Sequence, residues 1–204
     1  MEVMYSNLQD KGYFINKSFI GLLGDTRDIS ALISNVNKVK LNHNMKVKRI
    51  VKKLEYLDLL ELNKDILKMR IKDLSYSEYK MVLLMKVCSL EPDVVILNNF
   101  DLGFNYKVRS KIVKFIKTIN ATNNTSFVIL SNDILFINKC AKHLVIAKNK
   151  IIKYQGDIIS AIKQDLVDKP QIIKFIDLAN EKNAKIDYTL DNKELLKAIY
   201  RSVF

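Results

Sequence analysis

Leu74-Ser75-Tyr76-Ser77-Glu78 opens the stretch whose reading decides the fold, and Ser131-Asn132-Asp133 closes it. Between them runs a helical pattern up to Glu91-Pro92-Asp93, then an apolar run, Val94-Val95-Ile96-Leu97, ending in Asn98-Asn99. A turn follows at Asp101-Leu102-Gly103-Phe104-Asn105, then a helical pattern from Lys107 to Ile119 and a second apolar run, Phe127-Val128-Ile129-Leu130. Short apolar runs bounded by turn residues and alternating with helical patterns predict buried parallel strands of an α/β sheet. Polar residues follow each run directly, and in an open α/β sheet ligands bind just beyond the carboxyl ends of the strands. Asn98, Asn99 and Asn132 are therefore positions to inspect.

Working toward the N-terminus, residues 3–24 read as one or two short strands, the last being Phe19-Ile20-Gly21-Leu22-Leu23-Gly24. A polar loop, Asp25-Thr26-Arg27-Asp28, comes next, and then Ile29, Leu32, Ile33 and Val36 at helical spacing. Strand, glycine, polar loop and helix is the setting of a phosphate-binding loop, G-x-x-x-x-G-K-[ST], in which backbone N–H groups cradle phosphates, Lys reaches their oxygens and the hydroxyl holds Mg²⁺. Counted from Gly24, the second glycine falls on Ile29, the lysine on Ser30 and the hydroxyl on Ala31. Asp25 and Asp28 would place carboxylates beside phosphate with only Arg27 to offset them. Gly24, Asp25, Thr26, Arg27, Ser30 and Ala31 thus read as a vestigial nucleotide-binding set. An unrelated strand, turn and helix would read the same way if the segment stood alone.

Residues 40–73 read as helices, from Val47, Ile50, Val51, Leu54, Leu57 and Leu60, with Asn63 as a cap for a second one. Ser75 and Glu78 form a capping-box pattern ahead of the next helix. Beyond Asp133, Leu144-Val145-Ile146-Ala147 and Ile151-Ile152-Lys153-Tyr154 suit a hairpin, and Gln155-Gly156-Asp157 leads into a helix. Residues 168–204 carry apolar positions at helical spacing, among them Ile172, Ile173, Phe175, Ile176, Leu195, Leu196 and Ile199. The expected organisation is one core over residues 1–165, with a helical subdomain at about 40–90, and a C-terminal helical extension over 166–204.

The order and spacing of these segments resemble the ATP-binding-cassette (ABC) ATPases of membrane transporters. The resemblance implies a P-loop NTPase-like α/β fold with a mostly parallel sheet. It implies that Leu74, Ser75, Tyr76, Ser77 and Glu78 stand for the LSGGQ-like signature, Val94 to Asn99 for the Walker B strand, and Asn132 for the switch histidine. The region between the loop and the signature is shorter than is usual in the family. The C-terminal extension resembles that of energy-coupling-factor-type and cobalt-transporter-type ATPases, where it helps to pair two subunits; a helical cap on the same domain is the plainer reading.

Against that pattern the chemistry is missing. Ser30 stands for the lysine, Asn98 for the carboxylate that orients Mg²⁺, Asn99 for the one that polarises water, and Asn132 for histidine; no catalytic position is intact. An amide is a poor Mg²⁺ ligand and cannot serve as a general base. No Gln lies between Gln9 and Gln155, so the family's phosphate-sensing glutamine is absent as well. Phosphoryl transfer depends on positioning and charge stabilisation by these groups acting together. The leading expectation is a catalytically degenerate ATP-binding subunit (a pseudo-ATPase), a structural or regulatory half that pairs with an active ATPase paralogue or a second copy and with a membrane subunit. A soluble adaptor using a basic face on an acidic partner or nucleic acid is the alternative, though no aromatic-interleaved basic strand supports nucleic acid. A weak nucleotide-binding ATPase is the third. No metal is expected, and no cofactor beyond weakly held ATP.

Composition agrees with a cytoplasmic protein, at most peripheral on the inner face of the cell membrane. The 204 residues are 49% hydrophobic, enough for a core. No apolar run is long enough to span a bilayer, and Met1-Glu2-Val3-Met4-Tyr5 is not the start of a signal peptide. Cys88 and Cys140 form neither a disulfide framework nor a metal motif. The net charge of +12 reflects lysine richness throughout, densest at Lys38, Lys40, Lys46, Lys48, Arg49, Lys52 and Lys53. Such a cluster is either a solvated face or a contact for an anionic partner.

Overall fold

The computed structural model describes residues 2–7, 19–33 and 35–203, without the side chains of Glu2, Ala31, Ser202 and Val203. The part of the predicted strand region that falls at residues 8–18 therefore lies outside the described residues, as does the Ala31 side chain of the vestigial loop.

The strands are β1 (Glu2–Ser6), β2 (Phe19–Leu23), β3 (Asn37–Lys38), β4 (Val94–Asn98), β5 (Ser126–Leu130), β6 (His143–Lys148) and β7 (Ile151–Asp157), and they form one sheet in the order β3-β1-β4-β5-β2-β6-β7. The four central strands, β4, β5, β2 and β6, are parallel; β1 is antiparallel to β3 and β4, and β7 to β6. Every residue of β4 and β5 is buried, which is why both segments read as unbroken apolar runs rather than alternating ones. Alternate residues feed two cores. Val95, Leu97, Phe127 and Ile129 join the larger one, and Val94, Ile96, Val128 and Leu130 the smaller.

The larger core lies under α2 (Tyr76–Cys88), α3 (Tyr106–Asn123) and α4 (Ile134–Cys140). Each of these helices is capped by the residue just before it: Ser75, Asn105 and Asp133 accept from amides of the first turn. Helix α4 was not legible as a helix, although Asp133 followed by Ile134-Leu135-Phe136 carried the signal. The predicted hairpin is β6–β7, and Asp157 caps α5 (Ile158–Lys163). Cys88 and Cys140 are free and buried, and burial pushes the Cys140 thiol up to about 12.

Two helical expectations fail. Residues 40–73 hold only one short α-helix, α1 (Glu55–Leu59), and 3-10 turns at Val47–Arg49, Lys64–Lys68 and Ile71–Asp73. The backbone there is paired across segments instead of along a helix: Val47 N–H donates to Met69 O and Ile71 N–H to Met45 O. Of the apolar positions at helical spacing, Val47, Ile50, Val51, Leu57 and Leu60 are still buried, while Leu54 is exposed. Asn63 does cap, but it caps the 3-10 turn at Lys64–Lys68. The second failure is the helix after the phosphate-loop position, which is reduced to a 3-10 turn over Thr26–Ala31. Asp25 and Asp28 close a capping box around its first residues, and Asn35, at φ 58°, turns the chain back into β3.

The C-terminal segment forms α6 (Gln171–Glu181) and α7 (Asn192–Val203). Ile173, Ile176 and Ile186 are buried in the larger core, and the Tyr188 hydroxyl donates to Asp177 on α6.

Candidate functional site

The carboxyl ends of β2, β4 and β5 bring together the segments picked out in the sequence. Gly24 follows β2 at φ 155°, and a Cβ there would sit 2.8 Å from both Ala147 O and Asp28 Oδ2, so only glycine fits. The Asp28 carboxylate is 4% exposed and lies inside the loop. Its Oδ2 accepts from Asp25 N–H at 2.8 Å and its Oδ1 from Lys150 N–H at 2.8 Å, across the β6–β7 turn. Asp25 in turn accepts from Arg27 N–H at 2.6 Å and from the Arg27 guanidinium at 2.6 and 3.0 Å. The hydrogen bonds from Arg27 hold the Asp25 carboxyl below the usual range. A phosphate loop works because successive backbone N–H groups point at an anion. In this loop the chain's own carboxylates take up the amides of Asp25 and Arg27, and the Asp28 amide donates to Asp25 O.

The adjoining cavity, about 580 Å³, is lined by Asp25, Asp28, Asp165 and Asp168 with Lys148 and Asn132. Four carboxylates against one lysine oppose a triphosphate. Ser30, at the lysine position, donates its hydroxyl to Arg27 O at 2.8 Å.

Asn98 and Thr26 join the end of β4 to the loop: Asn98 Nδ2 donates to Thr26 Oγ1 at 3.0 Å. Asn98 Oδ1 is buried with no hydrogen-bond partner among the described residues. Asn99 takes a left-handed conformation, φ 48°, and donates its N–H to Leu130 O, while Asn132 is exposed after β5. The loop after β2 and the end of β4, both picked out in the sequence, thus lie together. The sequence reading also weighed Asp101 as a substitute carboxylate. Asp101 is instead 1% exposed and faces inward, 3.6 Å from Arg109, which also pairs with Asp133.

The signature segment does structural work. Ser75 Oγ accepts from Glu78 N–H at 3.3 Å, and Glu78 Oε2 accepts from Ser75 N–H at 2.8 Å, the reciprocal capping box that the sequence implied. The Tyr76 ring covers Gly103, within 3.2 Å of where a Cβ would stand. Beneath it lies Lys80, which the sequence reading passed over: it is wholly buried, donates to Phe100 O and Leu102 O at 2.7 and 2.6 Å, and sits against the rings of Tyr76, Phe100 and Phe104. Burial lowers its pKa to about 8. A lysine inside a largely apolar helix pattern, four residues after Tyr76, was the available signal, though Lys86 in the same helix carries no such mark. Arg109 was missed for want of any local pattern. Of the basic cluster, Lys38, Lys40, Lys46, Lys48, Arg49 and Lys52 are exposed, and the half-buried Lys53 pairs with Glu91.

Comparison with known proteins bears on this arrangement. No family model matches the chain. Among solved structures, an ATP-binding subunit of an ABC transporter superposes with a TM-score of 0.59 at 12% identity, over 88% of this chain and all of that one. A dimeric bacterial ABC transporter cassette gives a TM-score of 0.56 at 14% identity, over 70% and 86%. The fold is that of an ABC ATPase. Sequence similarity points the same way. Zinc import ATP-binding protein ZnuC of Ehrlichia chaffeensis is 27% identical over 151 residues, 73% of this chain and 62% of that protein. Putative ABC transporter ATP-binding proteins are 31% identical over 113 residues in Vibrio parahaemolyticus (54% of this chain, 19% of that protein) and 26% over 133 in Pyrococcus furiosus (63% and 48%). The chain thus spans between 19% and 62% of the length of these relatives. No helix among the described residues is long and apolar enough to cross a membrane.

Proposed function

We propose that this chain is a non-hydrolysing ABC-type subunit, a structural or regulatory half that works beside an active ATPase copy and a membrane subunit on the cytoplasmic side. One observation carries the reading. The Asp28 carboxylate holds the backbone donors of Asp25 and Lys150 within the loop where a phosphate would have to bind. The residues present do not fit Mg-ATP: the loop lacks its lysine, Asn98 and Asn99 offer no carboxylate for Mg²⁺, and the cavity wall is acidic. What remains is the cassette surface, with its signature helix and the loop after β4 held rigid by Lys80.

The test is the thermal midpoint of the purified chain with and without millimolar Mg-ATP. Ligand at a hundred times its dissociation constant adds about 2.7 kcal/mol to stability, which moves the midpoint by several degrees. The expected result is no shift and no phosphate release. A clear, saturable upward shift would return the chain to the nucleotide-binding class.

A further inference from the structure

No Asp or Glu occurs between Asp28 and Glu55, and in the fold the lysines of that stretch meet a second basic segment, Lys68-Met69-Arg70-Ile71-Lys72. Lys46 and Arg70 stand opposite each other in an antiparallel bridge. Its flanking bonds run from Val47 N–H to Met69 O and from Ile71 N–H to Met45 O, both at 3.0 Å. Val47 and Ile71 turn into the larger core, and Met45 and Met69 pack against it. Lys46, Lys48, Arg70 and Lys72 are exposed, as are Arg49, in the turn that follows Lys46, and Lys52.

None of these side chains has a carboxylate partner among the described residues. Lys68 differs, being taken by Asp65. Glu55 and Asp73 border the two segments and leave the face with a clear positive excess. In a bridge bonded on both sides of a residue pair, the two side chains stand at their closest, and like charges placed there repel. Lys46 and Arg70 thus hold a repulsion that a negative surface would relieve.

We propose that this face docks on an anionic lipid surface, whose headgroups take up the charge of Lys46, Lys48, Arg70 and Lys72. A cluster of this kind is drawn to anionic lipid by charge rather than by shape. The residue types favour lipid over other anionic partners. Lysine, a compact point charge, predominates, and it suits a diffuse negative surface better than a fixed bidentate one. Protein interfaces are depleted in lysine and enriched in aromatic residues at their centre. Tyr56, the only Phe, Tyr or Trp in residues 43–72, is buried, so a nucleic acid base finds no such ring to stack on. The same residues form 3-10 turns and the five-residue α1, which offer no helix to lie along a major groove. Leu54, 55% exposed just after Lys52 and Lys53, adds an aliphatic side chain suited to the acyl edge of a bilayer. The inference does not rest on the state of the phosphate loop, since a nucleotide-binding chain would present the same face.

The experiment is co-sedimentation of the purified chain with vesicles of phosphatidylcholine alone and of equal parts phosphatidylcholine and phosphatidylserine, over rising sodium chloride. The expected result is binding to the anionic vesicles only, weakening as salt rises. Lys46→Gln with Lys48→Gln, Arg70→Gln and Lys72→Gln should lower the partition coefficient at least about tenfold. Its thermal midpoint should equal or exceed that of the wild type, because a repulsion has been removed. Taking the same charge from exposed lysines elsewhere, Lys107, Lys142, Lys174 and Lys182, should cost little by comparison. Lys46→Arg with Arg70→Lys keeps the charge and should bind as the wild type does. The proposal fails if the anionic vesicles bind no better than phosphatidylcholine, if the four-site variant binds unchanged, if the distant set costs as much, or if the charge-keeping swap loses binding. It also fails if an oligonucleotide binds more tightly than the vesicles at the same salt and phosphate concentration, which would make the partner a nucleic acid.

Discussion

Asp28 shows how one carboxylate can finish a loop from inside. Two backbone donors, from Asp25 and Lys150, end on its oxygens inside the protein. Removing the acceptor takes the partner from two part-buried backbone bonds, at about 1–2 kcal/mol for each bond to a charged group. Asp28→Ala should therefore destabilise the chain by about 2–4 kcal/mol, read as a lower urea midpoint with unchanged slope. A change below 0.5 kcal/mol would mean that the loop is held by something else. Lys80 makes a second prediction, and its sign follows from proton counting. The folded-state pKa is about 8 against the ordinary 10.5, so between those values the unfolded chain binds more protons than the folded one. Stability lost to burying the charge is fully lost below about pH 8 and is regained as pH rises through the window. Relative to Lys80→Met, the wild-type chain should gain about 1–3 kcal/mol between those limits. The measurement is denaturant midpoints of both proteins across that range, and a constant difference would contradict it. Above about pH 8 the neutral amine keeps its donors for Phe100 O and Leu102 O, so there the variant should be the less stable.

At the scale of elements, the caps tell what the signature segment does now. If Ser75 serves α2 as an N-cap, Ser75→Ala should cost about 1 kcal/mol and Ser75→Asp almost nothing, because aspartate caps as well as serine. A phosphate-gripping role predicts no such rescue, and thermal midpoints of the two variants separate the cases. The same elements show what the sequence could and could not convey. Strands β4 and β5 were legible because burial on both faces leaves a continuous apolar run, and the caps Ser75 and Asn63 were legible because capping is local chemistry. Residues 40–73 misled because helical spacing of apolar positions reports which side is buried, not how the backbone is bonded. Val47 and Ile71 spend their amides on Met69 and Met45, a pairing between distant segments that no local window contains. After β2 the segment capped by Asp25 and Asp28 is a 3-10 turn, and Asn35 reverses the chain beyond it, which the apolar spacing of Ile29, Leu32, Ile33 and Val36 does not convey. The proposed loss of catalytic side chains rests on Ser30, Asn98, Asn99 and Asn132, which are read directly from the sequence. The bridge from Asp28 to Lys150 is not, since its partners stand far apart in the chain and meet only through the β6–β7 turn.

For the whole molecule, the question is whether the helical extension is a separate unit. The sequence placed a boundary at residue 165/166, where the amphipathic pattern begins. In the folded chain Ile173, Ile176 and Ile186 belong to the same buried cluster as Phe115, Leu84 and Ile129. An extension that shares the core should melt with it. Calorimetry of the full chain is therefore expected to give a single transition whose calorimetric and van't Hoff enthalpies agree. Cutting the chain after residue 165 uncovers the surface against which these isoleucines pack, and burial of each is worth about 1.5–3 kcal/mol. Since the total stability of a domain is about 5–15 kcal/mol, the shortened chain should melt far lower or fail to fold. Two resolved transitions in the full chain, or an unchanged midpoint after the cut, would make the extension an independent unit. Phe175 and Leu178 on α6, and Leu196 and Tyr200 on α7, are exposed even with the extension in place. The aliphatic residues turned inward, rather than these, are therefore what ties α6 to the cassette.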